Sequence, residues 1–247
     1  MPDLKSVFSY LGLPPGLWIT NSPTRIYEYL LLQDEIRFKD QMVLDFGCGD
    51  GIFALELARQ ARMVFAIDMN HAVIARARTY TRLFPFKDRL HFHVGRIEEI
   101  KFPSASLDIV FCACVLHLVD NLAEVLLELR RVLKPGGTLH ATVDSFEYIQ
   151  DFSQKAAYQR KHHIVEYFSE TTISNRLHEA GFIVETIRPI LGGKTAKAHF
   201  AKYFEDSNLV YSVPARLSMA KQIALEDRQS GNKFLGAEIL VRARKPA

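Results

Sequence analysis

The sequence has few of the features that mark secreted or membrane-spanning proteins. It holds only three cysteines among 247 residues, an odd and small number that does not make a disulfide framework. No uninterrupted run of about 18 apolar residues is present, so no transmembrane helix is predicted. The start, Met1-Pro2-Asp3-Leu4, has an early acid and no cationic segment before an apolar run, so no signal peptide is expected. We therefore expect a cytoplasmic protein in a reducing compartment.

The chain also lacks a strong excess of charge of either sign. It has 31 lysines and arginines against 28 aspartates and glutamates, a formal net charge of +3. Such a weak excess does not indicate a dedicated nucleic-acid binder. With 48% hydrophobic and 24% charged residues, the composition is that of a globular protein that needs no disulfide or metal to hold its core.

Short apolar runs alternate with longer amphipathic runs from Gln41 to about Pro189. Seven such runs, rich in valine, isoleucine and phenylalanine, are typical of strands buried on both faces. They lie at Met42–Phe46, Met63–Asp68, Leu90–Val94, Leu107–Cys112, Gly137–Val143, Phe182–Ile190 and Ala237–Ala243.

Helical periodicity separates these runs. Apolar residues recur at helical spacing over 54–61 and, more clearly, over 122–133. The second helix can be capped by Asp120 or Asn121 and stops at Lys134-Pro135-Gly136-Gly137. A third, over 171–180, ends at Gly181. This alternation predicts a Rossmann-like, doubly wound α/β sheet of seven mostly parallel strands, with ligands beyond the carboxyl ends of the strands.

Three segments lie outside the alternation. Residues 1–40 are expected to form a helical N-terminal cover, and residues 41–247 the main domain. Insertions at about 145–168 and 191–236, the latter with a helical stretch around 214–228, are expected to help close a pocket. Aromatic residues of these segments suit an apolar pocket; they include Tyr10, Trp18, Tyr148, Phe152 and Tyr158.

The sharpest motif is the glycine loop Asp45-Phe46-Gly47-Cys48-Gly49-Asp50-Gly51, between the first strand and the first helix. Glycine allows a tight turn and a close backbone approach to a ligand. Asp68 ends the second strand, where a carboxylate can accept hydrogen bonds from ribose hydroxyls. The loop departs from the dinucleotide fingerprint G-x-G-x-x-G, because Ile52 stands where the last glycine would fall.

The charge of Asp45 also argues against a dinucleotide ligand. A carboxylate there would repel a pyrophosphate, but it suits a ligand that carries an ammonium group. A nicotinamide-dependent oxidoreductase is therefore a distant alternative, which tight NADH binding would revive.

Several motifs, in order and at matching spacing, resemble those of class I S-adenosylmethionine-dependent methyltransferases. They are VLDFGCGDG with Asp68, SLDIVFCACVLHLVDN and RVLKPGG. The likeness is greatest to the small-molecule enzymes of the ubiquinone and menaquinone biosynthesis type, and it covers about Gln41–Ile190 plus the seventh strand. It implies S-adenosylmethionine as the methyl donor, S-adenosylhomocysteine as its product, and a seventh strand that runs antiparallel near the sixth.

The resemblance also implies cofactor-binding residues. The glycine loop would line the methionine portion, Asp68 would bind the ribose, and Met69 would pack on the adenine. The family commonly has an acid directly after the glycine that follows the third strand. Here Gly95 is followed by Arg96 instead. The Ile97 backbone or Glu98 would therefore have to meet the adenine amino group. Cys112 and Leu116 would lie next to the sulfonium. The cofactor-binding residues are thus Asp45, Gly47, Cys48, Gly49, Gly51, Asp68, Met69, Arg96, Ile97, Cys112 and Leu116, although a free cysteine such as Cys48 often only packs.

His117 is the candidate catalytic residue. It lies just beyond the fourth strand, and an imidazole with an ordinary pKa of about 6.5 suits a general base, a role worth about 10²–10⁴-fold in rate. The alternative is a histidine packed at a helix end against the cover. No metal site is expected, since Cys112 and Cys114 have no partners at metal-ligand spacing.

These features predict methyl transfer to a small organic acceptor by in-line displacement. Because the donor is intrinsically reactive, the protein mainly has to orient the two substrates and exclude water. An RNA or protein methyltransferase is the second hypothesis, which strongly salt-dependent RNA binding would favour. A catalytically inactive binding protein of the same fold is the third, kept open by Arg96. No membrane partner is expected, and nucleic acid is not the favoured one.

Overall fold

A computed structural model describes residue 20 and residues 22–82, 84–206, 208–230 and 235–247, without the side chains of 32–35 and 80. Part of the predicted N-terminal cover, including Tyr10 and Trp18, lies outside the described residues. Among the residues described, no helix is both long and apolar enough to cross a bilayer.

Seven strands form one sheet in the order β3-β2-β1-β4-β5-β7-β6. Strands β1 to β5 pair in parallel, and β7 runs antiparallel between β5 and β6. This confirms the predicted doubly wound sheet and the antiparallel seventh strand. The strands are β1 Met42–Phe46, β2 Met63–Asp68, β3 Leu90–Val94, β4 Leu107–Ala113, β5 Leu133–Asp144, β6 Ile183–Ile190 and β7 Glu238–Arg244.

Helices cover both faces of the sheet, as the alternating pattern predicts. The described helices are α1 Pro23–Glu35, α2 Ile52–Leu57, α3 His71–Thr81, α4 Leu122–Val132, α5 Phe152–His162, α6 Glu170–Glu179, α7 Lys194–Glu205 and α8 Val213–Ser230, with short 3-10 turns at Lys87–Arg89 and Leu116–Leu118. Buried apolar side chains of α4 and α6 pack on one face of the sheet, and those of α2 and α3 pack on the other.

Two boundaries differ from the prediction for identifiable reasons. Helix α2 ends at Leu57, earlier than the apolar pattern predicts. Ala58 and Ala61 are nevertheless buried, because residues 58–61 continue as turns that pack on the same face. Strand β5 begins at Leu133 rather than Gly137, directly after α4. Residues 134–137 form an irregularity in that strand, where Gly136 has φ +78° and the register with β4 shifts. Asn121 is the N-cap of α4, but its side chain makes no capping hydrogen bond.

A third apolar cluster lies beyond the carboxyl end of β5. Helix α1 packs against α8, and both meet α7 and the segment after β5. Phe146 lies at the centre of this cluster, in edge contact with Tyr158 and Phe200 at ring-centroid distances of 5.0 and 5.1 Å. Phe152, by contrast, is 85% exposed and contributes nothing to a pocket. The first described helix and the two insertions therefore pack together over one end of the sheet.

Candidate active site: two adjoining cavities

The glycine loop after β1 turns in the left-handed region of backbone space. Gly47 has φ +73°, and a Cβ there would lie 2.3 Å from Cγ2 of Val115. Gly49 has φ +51°, and a Cβ there would meet nothing within 4 Å. Glycine is therefore required by close packing and backbone angle at position 47, but by backbone angle alone at 49. The open space beside Gly49 leaves its backbone accessible to a ligand.

Asp68 is fixed against this loop by two backbone hydrogen bonds. Its Oδ2 accepts from the N–H of Gly49 at 2.9 Å, and its Oδ1 accepts from the N–H of Asn70 at 2.8 Å. Each carboxylate oxygen can accept a further hydrogen bond. Asp68 is thus held at the end of β2 with acceptor capacity left for a pair of hydroxyls.

Asp45 is a buried acid with an unsatisfied oxygen. The residue is 2% exposed, and its Oδ2 has no hydrogen-bond partner among the described residues. Burial raises the pKa of Asp45 to about 8, and the nearby charge of Asp68 acts in the same direction, against a backbone hydrogen bond from Ala54. A buried acid without a counter-charge is costly to ionise, so a cationic ligand group next to the loop would stabilise its charged form. The site therefore fits a ligand with an ammonium group.

The larger cavity lies at the carboxyl ends of β1 to β4 and has a volume of about 360 Å³, within the size range of small-molecule sites. Five residues of the predicted cofactor site line it: Gly47, Asp68, Met69, Arg96 and Ile97. The other lining residues are Arg25, Phe46, Ile67, Gly95, Glu98, Ala113, Cys114, Val115, Leu118, Val119, Asp120 and Val125. We call this space the donor cavity.

One end of the donor cavity is formed by the loop after β3. The backbone N–H of Arg96 donates to Oε2 of Glu99 at 3.1 Å, and the Arg96 guanidinium lies 3.8 Å from Oε2 of Glu98. Glu98 lines the cavity, so a carboxylate is present at this end even though Arg96 occupies the usual acidic position. Met69 is 67% exposed at the rim, where an apolar side chain can cover a flat ring.

Six residues of the predicted cofactor site line neither cavity. Cys112 and Leu116 belong to the core cluster beneath α4, and Cys48 belongs to the cluster beneath α2. Cys112 is on the buried part of β4, and Leu116 is in a 3-10 turn that packs inward. From the same loop, Cys114, Val115 and Leu118 line the donor cavity instead. Asp45, Gly49 and Gly51 lie in the loop but are not among the lining residues.

A second cavity, of about 260 Å³, adjoins the first. Arg25, Cys114 and Leu118 belong to the walls of both. The second cavity is completed by Ser22, Thr24, His117, Asp144, Tyr158, His162, His199, Phe200, Tyr203 and Glu238. We call it the acceptor cavity. Its residues come from α1, α5, α7, the loop after β4 and the adjacent ends of β5 and β7.

His117 lies in the wall of the acceptor cavity and is 4% exposed. Its Nδ1 accepts a hydrogen bond from the backbone N–H of Asp144 at 3.1 Å, and its Nε2 lies 3.6 Å from Oδ2 of Asp144. Burial lowers the pKa of His117 to about 3. Because Nδ1 accepts, the neutral ring carries its proton on Nε2, and neither nitrogen offers a free lone pair. The predicted general-base role would require this hydrogen bond to break, so the geometry favours the packed alternative, and the role stays a prediction.

Acidic groups converge on the same wall. Glu28, Asp144 and Glu238 are all buried, and Nη1 of Arg25 donates to Oε2 of Glu28 at 2.7 Å. Oε2 of Glu238 has no hydrogen-bond partner in the described part of the chain. Burial raises the pKa of Asp144 and of Glu238; Glu28 acts in the same direction on both, and the positive charge of Arg25 acts against it. This part of the site was missed by sequence reasoning, although an acid that ends a parallel strand, as Asp144 does, is a signal that could have been used.

In the same wall Cys114, which we did not expect to bind a metal, lies close to two acids. Ligand atoms of Glu28, Cys114 and Glu238 lie within 4.8 Å of one another, a proximity that sequence spacing did not predict. Without a metal, burial raises the pKa of the Cys114 thiol. Arg25 already supplies a positive charge to Glu28. We therefore assign no metal to these three residues.

Comparison with known proteins agrees with this arrangement. The profile of a family described as a methyltransferase domain matches residues 44–141. An uncharacterized methyltransferase of Mycobacterium bovis is 36% identical over 109 residues, which are 44% of this chain and 53% of that protein. A protein arginine N-methyltransferase of Schizosaccharomyces pombe is 29% identical over 136 residues, 53% of this chain and 40% of that protein. The chain thus matches about half the length of these curated relatives.

A solved structure extends the likeness over most of the chain. Geranyl diphosphate C-methyltransferase from Streptomyces coelicolor, in complex with Mg²⁺, geranyl diphosphate and S-adenosyl-L-homocysteine, has a TM-score of 0.66 at 16% identity. The likeness covers 90% of this chain and 77% of that one, and at such identity it shows the fold. The fold is thus shared with a solved methyltransferase structure. Residues 44–141 match a methyltransferase domain, and the relatives found include methyltransferases, which supports a class I S-adenosylmethionine-dependent methyltransferase.

Proposed function

We propose that this protein transfers a methyl group from S-adenosylmethionine in the donor cavity to a small organic molecule in the acceptor cavity. The observation that carries the proposal is that the two cavities adjoin and share Arg25, Cys114 and Leu118. When bound, S-adenosylmethionine supplies an electrophilic methyl group on its sulfonium. The adjoining walls allow that methyl group and its acceptor to meet away from bulk water, which is the main task of such a site.

The residues of the donor cavity suit the three parts of this donor. Asp45, which lies in the glycine loop next to the cavity lining, would pair in its ionised form with the ammonium group of the donor. Asp68, held by Gly49 and Asn70, would accept from the ribose hydroxyls. Met69 and Ile97 would pack on the adenine, with Glu98 as an acceptor for its amino group. Cys114 and Val115, from the loop after β4, would lie beside the sulfonium.

The size of the acceptor cavity supports a small molecule. A volume of about 260 Å³ lies just below the range typical of drug-sized ligands. One relative is a protein arginine N-methyltransferase, which keeps a protein acceptor as the second candidate; a single side chain would then have to enter this cavity. Methylation of free small molecules but not of peptides would favour the first.

The donor site is tested by calorimetric titration with S-adenosylmethionine and S-adenosylhomocysteine. We expect micromolar binding to the wild-type protein and a loss of at least about tenfold in Asp68→Ala, because the acceptor for the ribose hydroxyls disappears and the loop loses its anchor. Asp88→Ala, an exposed aspartate in the turn before β3, is the matched control and should bind as the wild type does. Absence of binding to both ligands would refute the proposal and favour an inactive binding protein of this fold.

A further inference from the structure

We infer that the acceptor is a cationic amine, and that Asp144 and Glu238 bind its ammonium group and receive the proton that must leave before methyl transfer. The inference rests on the proposed function and narrows its substrate class. It comes from the balance of charge in the acceptor cavity, from an unpartnered buried oxygen, and from the aromatic walls.

The acceptor cavity has more negative than positive groups in its walls. Of the described residues that line it, Arg25 is the one with a permanent positive charge, and its guanidinium is bound to Glu28 at 2.7 Å. Burial lowers the pKa of each histidine in the wall, so all three are neutral at pH 7: His117, His162 and His199. Arg25 is thus one permanent cation that acts on three buried acids, Glu28, Asp144 and Glu238.

The carboxyl group of Glu238 is where we expect a cationic ligand group to bind. It is 5% exposed, it lines the cavity, and its Oε2 accepts no hydrogen bond among the described residues. Leaving such a group unpaired costs free energy. An ammonium group carries both the compensating charge and several N–H donors, and hydrogen bonds between charged partners are the strong ones.

The remaining walls suit the rest of a small amine. Tyr158 and His162 lie with ring centroids 4.2 Å apart, and Tyr203 stacks on His162 at 6.0 Å. Phe200 completes the apolar side of the cavity. Aromatic faces attract cations and pack on apolar groups. A carboxylate acceptor would instead be repelled by the ionised acids of this wall, and a neutral hydroxyl would bring no charge to stabilise the ionised forms of Asp144 and Glu238, whose pKa burial raises.

The proton balance assigns a role to the carboxylates. An ammonium nitrogen has no lone pair, so it must first give one proton to Asp144 or Glu238 in its ionised form, and the raised pKa of these acids makes their carboxylates better acceptors of that proton. The neutral amine nitrogen then forms a bond to the methyl carbon while the carbon–sulfur bond breaks, and that electron pair stays on sulfur. The products are a methylated ammonium ion, a neutral thioether and a protonated carboxyl group, which afterwards releases its proton to solvent. His117 supports Asp144 through its backbone hydrogen bond and need not take the proton.

Three probes with the same aromatic body and different head groups test this inference. Phenethylamine, phenethyl alcohol and hydrocinnamate are titrated calorimetrically into the protein, with and without S-adenosylhomocysteine. We expect the amine to bind at least about tenfold more tightly than the alcohol, and hydrocinnamate to bind most weakly, because a buried charge pair is gained in one case and a repulsion in the other. This comparison uses the wild-type protein, so it does not depend on whether a variant folds.

Asp144→Asn and Glu238→Gln should each lose at least about tenfold in amine affinity and keep their affinity for S-adenosylhomocysteine. Glu147→Gln, which changes an exposed acid in the segment after β5, is the matched control and should bind the amine normally. Equal affinity for amine and alcohol, no binding of the amine by the wild type, or normal amine binding by both variants would overturn the inference. So would stoichiometric Zn²⁺ binding that Cys114→Ser and Glu238→Gln both abolish, since the missing cation would then be a metal.

The outcomes separate this inference from the proposed function. Normal S-adenosylhomocysteine binding without a preference for the amine leaves the methyltransferase proposal standing and removes the amine. A preference for the amine that depends on Asp144 and Glu238, in a protein that binds neither form of the donor, supports the amine site and removes the methyltransferase proposal.

Discussion

Binding of the methyl donor is predicted to release a proton from Asp45. The pKa of this buried acid is raised to about 8, so about nine in ten molecules carry the proton at pH 7. The ionised form is needed to pair with the donor's ammonium group. Between pH 6 and pH 7 the association constant for S-adenosylhomocysteine should therefore rise about tenfold. Near pH 8 it should reach a maximum, because the α-amino group of the ligand, with an ordinary pKa of about 7.7–8.0, then loses its own proton.

The assay is calorimetry at pH 7 in two buffers that differ in ionisation enthalpy. The difference in apparent binding enthalpy gives the net number of protons released, which we expect to be about 0.8 per ligand, because Asp45 releases about 0.9 and the α-amino group of the ligand takes up about 0.1. Asp45→Asn should bind more weakly, release no proton and lose the slope between pH 6 and pH 7. An affinity that does not change over this interval, or equal proton release in the wild type and in Asp45→Asn, would refute the reasoning.

Three further predictions concern stability and the candidate base. Since the folded-state pKa of Asp45 lies above its unfolded value, its contribution to the free energy of unfolding is complete below about pH 4 and is lost as the pH rises through 8. Over this interval the free energy of unfolding of the ligand-free wild type should fall by up to about 5 kcal/mol from this group alone. Urea unfolding of Asp45→Asn should lack this pH dependence. If His117 only packs, His117→Ala should cost about 1–3 kcal/mol by leaving the Asp144 N–H unsatisfied and should leave the pH profile of methyl transfer unchanged; a rate loss of about 10²-fold or more with unaltered stability would instead establish it as the base. Gly47→Ala should be more destabilising than Gly49→Ala by about 1–3 kcal/mol, because both acquire left-handed strain but only the first meets Val115; equal losses in urea unfolding would contradict this.

The parts of the molecule that repeat local patterns were predictable from sequence. Alternating apolar and amphipathic runs predicted the sheet, and the glycine loop with Asp68 predicted one wall of the donor cavity, because both depend on neighbours in sequence. The orientation of Cys112 and Leu116 was not predictable, since one residue of displacement in the loop after β4 decides which side chains line the cavity and which enter the core. The meeting of Arg25 with Glu238 depends on the packing of α1 beside the start of β7, and no local pattern records such a contact.

The antiparallel course of β7 has a consequence for the order in which the molecule is made. Every strand that contributes to the donor cavity lies between residues 42 and 113, so this half can form early during synthesis, when domains begin to fold as units. The acceptor cavity needs Glu238, which reaches the sheet only after nearly all of the described chain has left the ribosome. A nascent chain can thus complete the half proposed to hold the donor long before it can complete the proposed acceptor site, and the long-range closure between α1 and β7 is expected to be the slow step of folding.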